Sequence, residues 1–322
     1  MFDRLVPLVV SSLAAVGDLA IFAWRAARES FLPPFEFRET IRQIFELGLR
    51  SAPLIAVSGM AVGVVLSMHT RASLERFGAE SMIPAGLAIA LVRETGPLTA
   101  GLLLSGRIGA GIGAELGAMK VTEQIDALEA TAIDSFRYLV VTRVVACVIA
   151  LPILTTLMNF AGMLGGFLAE TTATGMSLTL YFTRAFSLID LVDYVPATIK
   201  TMVFGFIIAT ISAYLGFTTE SGTEGVGRAS TRAVVFSSVG IIVANVVLVR
   251  LIFFIFPKAA GGCARPPPTR LRPPSGSRAC RRPSAPARCS TTSRSMSRAA
   301  AASSFSVAAV PGKASLSGTS SA

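Results

Sequence analysis

The sequence predicts an all-α, polytopic integral membrane protein, with N-terminal interfacial and elbow helices, five transmembrane helices and a disordered C-terminal tail. Three observations predict it. Hydrophobic residues make up 52% of the 322-residue chain, charged residues 15%, and mean hydropathy is +0.65, which is more apolar surface than one soluble core can hide. Apolar runs long enough to cross a bilayer recur along the chain, separated by polar segments. The net charge of +10 is confined to one end: residues 259–322 hold nine Arg, one Lys and no acid, so of 29 basic residues 19 remain in 1–258, against 19 acidic ones. The body is therefore neutral, and no nucleic-acid footprint survives.

Residues 1–50 read as interfacial and elbow helices. The apolar stretch 5–24 is broken by Pro7, Gly17 and Asp18. With Arg4 beside Asp3 and no small-x-small cleavage site, it is expected to be an uncleaved interfacial helix rather than a signal peptide. After Pro33 and Pro34, the residues Phe37, Ile41, Ile44, Phe45 and Leu49 recur at helical spacing, with Arg38, Arg42 and Arg50 elsewhere on the wheel. That is an amphipathic elbow helix lying in the headgroup layer, its arginines toward anionic lipid.

Residues 51–257 hold the five expected spans, at 51–68, 83–105, 138–168, 197–217 and 234–256. In the first, Gly59 and Gly63 form a small-xxx-small pair suited to close helix packing. The third contains Pro152 and is long enough that it must tilt, kink or project beyond the membrane. Arg107, Lys120, Arg137 and Arg143 lie between spans two and three, and Arg228 and Arg232 between four and five. The opposite segment, 169–196, sets Glu170, Asp190 and Asp193 against Arg184 alone, so the basic side and the N-terminus are expected in the cytoplasm.

The second span carries the pair Arg93-Glu94, followed by Pro97, about ten residues into the apolar run. Ionisable groups at that depth are expensive and mark a functional site by default. The bland alternative is a mutually paired ion pair that only fixes helix packing. Pro97 leaves a backbone carbonyl free and can open the helix. Gly106, Gly109, Gly111, Gly113 and Gly117 follow. Gly109 to Ala114 matches only a G-x-G-x-x-A pattern with no strand before it, so Gly106, Gly109 and Gly113 read as helix-packing residues, not a dinucleotide loop. From 121 to 134 Ala and Leu alternate with Glu123, Gln124, Asp126 and Glu129, a short cytoplasmic helix with Thr122 as its expected N-cap. His69 has no partnering His or Cys pattern. Of four cysteines only Cys147 lies in the body, so neither a metal site nor a disulfide framework is expected.

The string RETGPLTAGLLLSGRIGAGIGAELGAMKVTEQIDALEATAID, residues 93–134, resembles the signature region of the MlaE/YrbE permease family, the membrane subunit of MCE-type ABC transporters that move lipids across bacterial envelopes. Similarity extends over about 34–257. The resemblance implies a five-span permease domain that is not itself an enzyme, in the bacterial inner (cytoplasmic) membrane. It implies a homodimer, a separate ABC ATPase subunit that carries the ATP and Mg, and an MCE-domain protein on the outer side. It places Arg93, Glu94 and Pro97 at a lipid cavity between paired permease subunits, with Arg93 meeting the headgroup or a neighbouring carbonyl and Glu94 setting the polarity. It makes 121–134 the coupling helix, with Glu123, Gln124, Asp126, Ala127 and Leu128 at the ATPase-docking positions, and offers the Gly/Ser/Thr-rich loop after residue 219 as a second contact. Phospholipid or a related lipid is the expected substrate. The competing reading is a proton-coupled secondary transporter using Glu94, which inverted repeats would favour; the two halves match in neither spacing nor motif.

The tail, 258–322, is Arg, Pro, Ala and Ser without period, expected to be disordered or frame-shifted. Back-translated with GC-rich codons and shifted by one base, residues 290–298 become LDDVEVDVA, and with suitable codons the same shift at 310–316 can give GSGKSVL, the core of a phosphate-binding loop. The expectation is a reading frame running from the permease into a downstream ATPase gene. A basic extension that binds anionic lipid is the alternative.

Overall fold

The structure, a computed structural model, describes residues 2–32, 36–132, 134–189, 191–219 and 222–255; the expected basic tail lies outside them. The described residues are almost wholly helical, with no strand among them. Bilayer physics accounts for that: with no water to accept an amide, each crossing segment must satisfy its own backbone hydrogen bonds. Among the described residues, five helices are long and apolar enough to cross, Phe37–Phe77, Glu80–Val121, Arg137–Thr174, Asp193–Phe217 and Gly222–Ile252.

The first helix, α1 (Phe2–Ser30), passes through Gly17 and Asp18 without a break, since one interior glycine costs a helix only about 1 kcal/mol relative to alanine. Its second half is anchored by aromatic contacts. Phe22 packs edge-on against Phe136 and Tyr214, with ring centroids 5.1 and 5.6 Å apart, and the Arg25 guanidinium sits 4.2 Å above the Phe136 ring. The opposite face, with Trp24, is exposed.

The elbow and the first span, expected as separate elements, form one helix, α2 (Phe37–Leu74). Pro53 removes a single backbone bond, to the Leu49 carbonyl, and no residue near it stops the helix. Beyond the turns Glu75–Phe77 and Glu80–Met82, the second span is a chain of three α-helical pieces joined by π-helical turns: α3 (Ile83–Ala90), Leu91–Thr95, α4 (Gly96–Leu104), Ser105–Gly109 and α5 (Ala110–Val121). A short helix, α6 (Gln124–Ala130), precedes α7 (Thr142–Thr174), α8 (Leu178–Phe186), α9 (Leu191–Phe217) and α10 (Gly222–Ile255). Residues 222–233, expected in a loop, are the first turns of α10.

The core is built around α7. Leu151, Leu154 and Met158 are buried there with Ile55 of α2 and Phe204 and Ile208 of α9. Glycines set how closely α2 approaches. A Cβ added at Gly59 would lie 2.7 Å from the Met158 carbonyl oxygen; one at Gly63 would overlap the Gly162 backbone, and one at Gly165 the Met60 backbone. Backbone therefore meets backbone across the pair, the contact that small residues permit. At the far end of the same two helices Glu170, 1% exposed, accepts from Ser67 Oγ at 3.0 Å and pairs with Arg71 at 2.5 Å. Both ends, expected in loops, are helical. Of the second-span glycines, Gly109 faces α9 and α10, its added Cβ 3.1 Å from Ser212 Oγ, and Gly113 faces α10, 3.1 Å from Ala233 Cβ. Gly106 meets nothing within 4 Å.

Gly63→Ala must displace the Gly162 backbone, so it should lower stability by about 1–3 kcal/mol. Gly48→Ala, with open space around its Cβ, should leave stability unchanged or raise it. Thermal unfolding of the detergent-purified variants compares them; equal stabilities would show that the α2–α7 contact is not set by backbone approach.

Candidate functional site

Pro97 has no N–H, so the Arg93 carbonyl, four residues earlier, loses its usual donor. The chain widens there: the Gly96 N–H bonds back to the Leu91 carbonyl, and residues Leu91–Thr95 form a π turn. Thr99 Oγ1 donates to the Thr95 carbonyl at 2.5 Å and steadies the first turn after the proline. Pro97 itself is buried and gives no side chain to the open face.

Arg93 and Glu94 leave this turn toward different partners, because side chains one residue apart on a helix do not face each other. Arg93 Nη2 pairs with Asp193 Oδ1 at 2.6 Å. Lys200 Nζ donates to Glu94 Oε2 at 2.7 Å, and Asn245 Nδ2 donates to Glu94 Oε1 at 2.6 Å. The second span, α9 and α10 are thus tied at one level. The partners differ in depth: the Lys200 and Asp193 side chains are 1% and 8% exposed, while those of Arg93 and Glu94 are 39% and 45% exposed. Each pair therefore has a buried inner end and an open outer end, and the open ends place one positive and one negative group side by side. Asp193 begins the fourth span and Lys200 lies seven residues past it, about 10 Å along the helix, so the cluster runs from the edge of the apolar layer inward. A zwitterionic or anionic headgroup can meet both charges there while its chains stay in hydrocarbon.

Sequence reading missed Asp193 as a partner, and missed Lys200 and Asn245 altogether. A signal existed: Lys200 is the only charged residue in the apolar run 197–217, and Asn245 places an amide in the middle of 234–256; an ionisable group inside a span is a functional candidate by default.

The other expected site lies at the opposite end of the second span. Thr122 is not an N-cap; its hydroxyl bonds back to the Ala118 carbonyl at 2.8 Å and ends α5. Glu123 turns the chain instead, in the left-handed region at φ 57°, and Ala132 beyond α6 is left-handed too, at φ 62°. Two non-glycine residues in that region at the two ends of one seven-residue helix store backbone strain. Ile125 is buried in the core and Leu128 packs against it, while Glu123, Gln124, Asp126 and Ala127 are exposed. Of the five expected docking residues, four face outward and Leu128 inward. Asp126 is paired only on the surface, with Lys120 Nζ at 3.1 Å. Nearby, Arg143, expected in a loop, is 4% exposed on α7, donating to the Leu139 carbonyl at 2.8 Å and to Glu115 of α5 at 2.7 Å.

Removing the half-exposed partner should cost more than removing the buried one. Glu94→Ala leaves the Lys200 ammonium uncompensated and should destabilise the chain by about 3–5 kcal/mol, whereas in Lys200→Met the remaining carboxylate reaches the open face and the cost should be smaller. The double variant should recover much of the Glu94→Ala loss. Denaturant or thermal unfolding measures this, and a Lys200→Met variant less stable than Glu94→Ala would contradict the assignment of the buried end.

The family described as Permease MlaE matches residues 40–251, from the first turns of α2 to the last turns of α10. The chain is 38% identical over 239 residues to a probable ABC transporter permease protein of Rickettsia typhi, covering 74% of this chain and 92% of the relative. It is 36% identical over 216 residues to a probable ABC transporter permease protein of Synechocystis, 67% and 82% of the two chains. With the intermembrane phospholipid transport system permease protein MlaE of Haemophilus influenzae it shares 30% identity over 258 residues, 76% of this chain and 99% of that one. With five membrane-spanning helices and these relatives, the chain belongs to the MlaE permease family and is an ABC transporter permease subunit.

Proposed function

We propose that this subunit moves phospholipid or a related lipid across or out of the bacterial inner membrane, driven by a separate ATPase that binds ATP and Mg and docks on α6. The observation that carries the reading is the charged centre: Arg93 and Glu94 stand half-open on one face, each backed by a buried counter-charge. The name of the Haemophilus relative supports phospholipid as the substrate. In a single chain this face is unroofed. A second copy set against it would close a cavity with two such centres, and the subunit therefore works as a homodimer. An MCE-domain protein meets the end away from α6, and the N-terminus and α6 lie in the cytoplasm.

Within this arrangement the residues divide the work. Arg93 holds an anionic headgroup oxygen while Asp193 keeps its guanidinium oriented; Glu94, held by Lys200 and Asn245, meets a cationic or hydroxyl part of the headgroup. Glu123, Gln124, Asp126 and Ala127 present the surface that the ATPase grips. Nucleotide binding then shifts the population of two bundle arrangements, and only a difference in lipid contact between the two states makes that shift do transport work.

Asp126→Lys removes only an exposed ion pair, worth at most about 1 kcal/mol, so the variant should fold normally. In co-purification it should retain about tenfold less ATPase, and in proteoliposomes containing the ATPase it should lose ATP-driven lipid transfer. Arg93→Ala should keep the ATPase and lose transfer. Lipid movement that follows a proton gradient without any ATPase, and that Glu94→Gln abolishes, would overturn the proposal in favour of a secondary transporter.

A further inference from the structure

A cleft of about 420 Å³ opens between the first turns of α2 and α5, at the end of the bundle that carries α6, and the transport reading uses none of its arginines. Arg42, Arg50 and Arg107 line it with Glu46, Glu115 and Gly111. The two carboxylates are already engaged. Glu46 pairs with Arg50 at 2.7 Å, and Glu115 with the buried Arg143 at 2.7 Å. Arg42 has a 3.4 Å contact with Glu39, an exposed pair on one helix face that contributes little. Arg107 is exposed, and no hydrogen bond or ion pair joins it to another described residue. The cleft keeps a positive excess because Arg143 neutralises Glu115 from beneath.

Position explains what that excess is for. Arg107 lies 13 residues beyond Glu94 along the second span, about 20 Å at the helical rise, which takes it from the charged centre toward the opposite headgroup layer. The elbow arginines lie at the same level on α2. Basic pockets between spans at that depth hold lipid headgroups, and the planar guanidinium fork matches two phosphate oxygens at once. Gly111, one turn past Arg107, leaves the space open: an added Cβ there would meet nothing within 4 Å.

We infer that this cleft binds the phosphate of an anionic phospholipid from the leaflet on the α6 side, with Arg107 as its principal ligand and Arg42 and Arg50 at the rim. The site is separate from the charged centre at Glu94 and does not depend on what the subunit transports.

The test uses the full-length chain in detergent, with melting temperature followed as phosphatidylglycerol, phosphatidylcholine of the same acyl chains, or inorganic phosphate is added. Phosphatidylglycerol should stabilise at lower concentration than phosphatidylcholine. Arg107→Ala should shift the phosphatidylglycerol titration by about tenfold, the worth of one charged hydrogen-bonded contact. Gly111→Leu, whose Cβ has open space and whose side chain extends into the cleft, should do the same with little change of stability in lipid-free detergent. Arg76→Gln, in the turn Glu75–Phe77 that follows the far end of α2, should titrate as the parent. Equal responses to the two lipids, or an Arg107→Ala titration matching the parent, would overturn the inference. An Arg107-dependent shift produced by inorganic phosphate at the same concentrations would assign the site to the free ion instead of the lipid.

Discussion

The Lys200 ammonium, 1% exposed inside an apolar bundle, depends on Glu94 at 2.7 Å to remain charged there. Much of the architecture is arranged to deliver that carboxylate. Glu94 must leave the second span at the level where α9 and α10 cross it, and the π turn at Leu91–Thr95 is the local change that aims it. Close approach of the elements is part of the same arrangement: a Cβ at Gly101 would lie 3.1 Å from the Phe204 ring, so α4 sits against α9 one turn beyond Lys200. Because Asn245 bonds the other carboxylate oxygen, a single side chain ties three spans together. The neighbouring Arg93–Asp193 pair repeats the arrangement with the charges inverted, its buried end acidic.

The scaffold behind this cluster is held by a different kind of contact. Lipid tails are as apolar as leucine, so no hydrophobic force drives one span onto another, and close backbone packing must do it. Gly59 and Gly63 against Gly162 and Gly165 supply that packing along α2 and α7. The same helix α7 also reaches the π turn: a Cβ at Gly96 would overlap Asn159 Oδ1, an oxygen that is buried and accepts no hydrogen bond. The widened turn thus rests directly against α7 at Asn159.

What was legible in the sequence follows from the range of each interaction. Composition and apolar runs reveal the class and the five spans, because burial in lipid acts on every residue of a span alike. The mid-span charges were legible as costly groups, but not their partners, since Glu94 meets residues 106 and 151 positions away. Hydropathy windows also hid the length of the helices. Arg71, Arg143 and Glu170 look like loop residues by polarity, yet each is helical and ion-paired to another helix. Thr122 misled for a local reason: a threonine at a helix end can cap forward or bond back to the i−4 carbonyl, and here it does the second.

In the proposed mechanism, motion entering at α6 reaches the second span through α5, and α5 is not free to move by itself. Sliding it against α7 would separate Glu115 from the buried Arg143 guanidinium, leaving a charge without its partner at a cost of several kcal/mol. Sliding it against α10 would move Gly113 away from Ala233 and bring a residue with a side chain into a space where even a Cβ would lie 3.1 Å from the Ala233 methyl. Both constraints favour α5, α7 and α10 moving as one body. The second span softens only where its regular hydrogen bonding is interrupted, at Ser105–Gly109 and Leu91–Thr95, on either side of α4. Ser105–Gly109 lies between α6 and the charged centre, Leu91–Thr95 carries that centre, and α4 with its Pro97 start is the piece the two turns isolate. A rearrangement of the bundle therefore reaches Arg93 and Glu94 as a change in how α4 sits against α9, the contact on which the Lys200 ion pair depends.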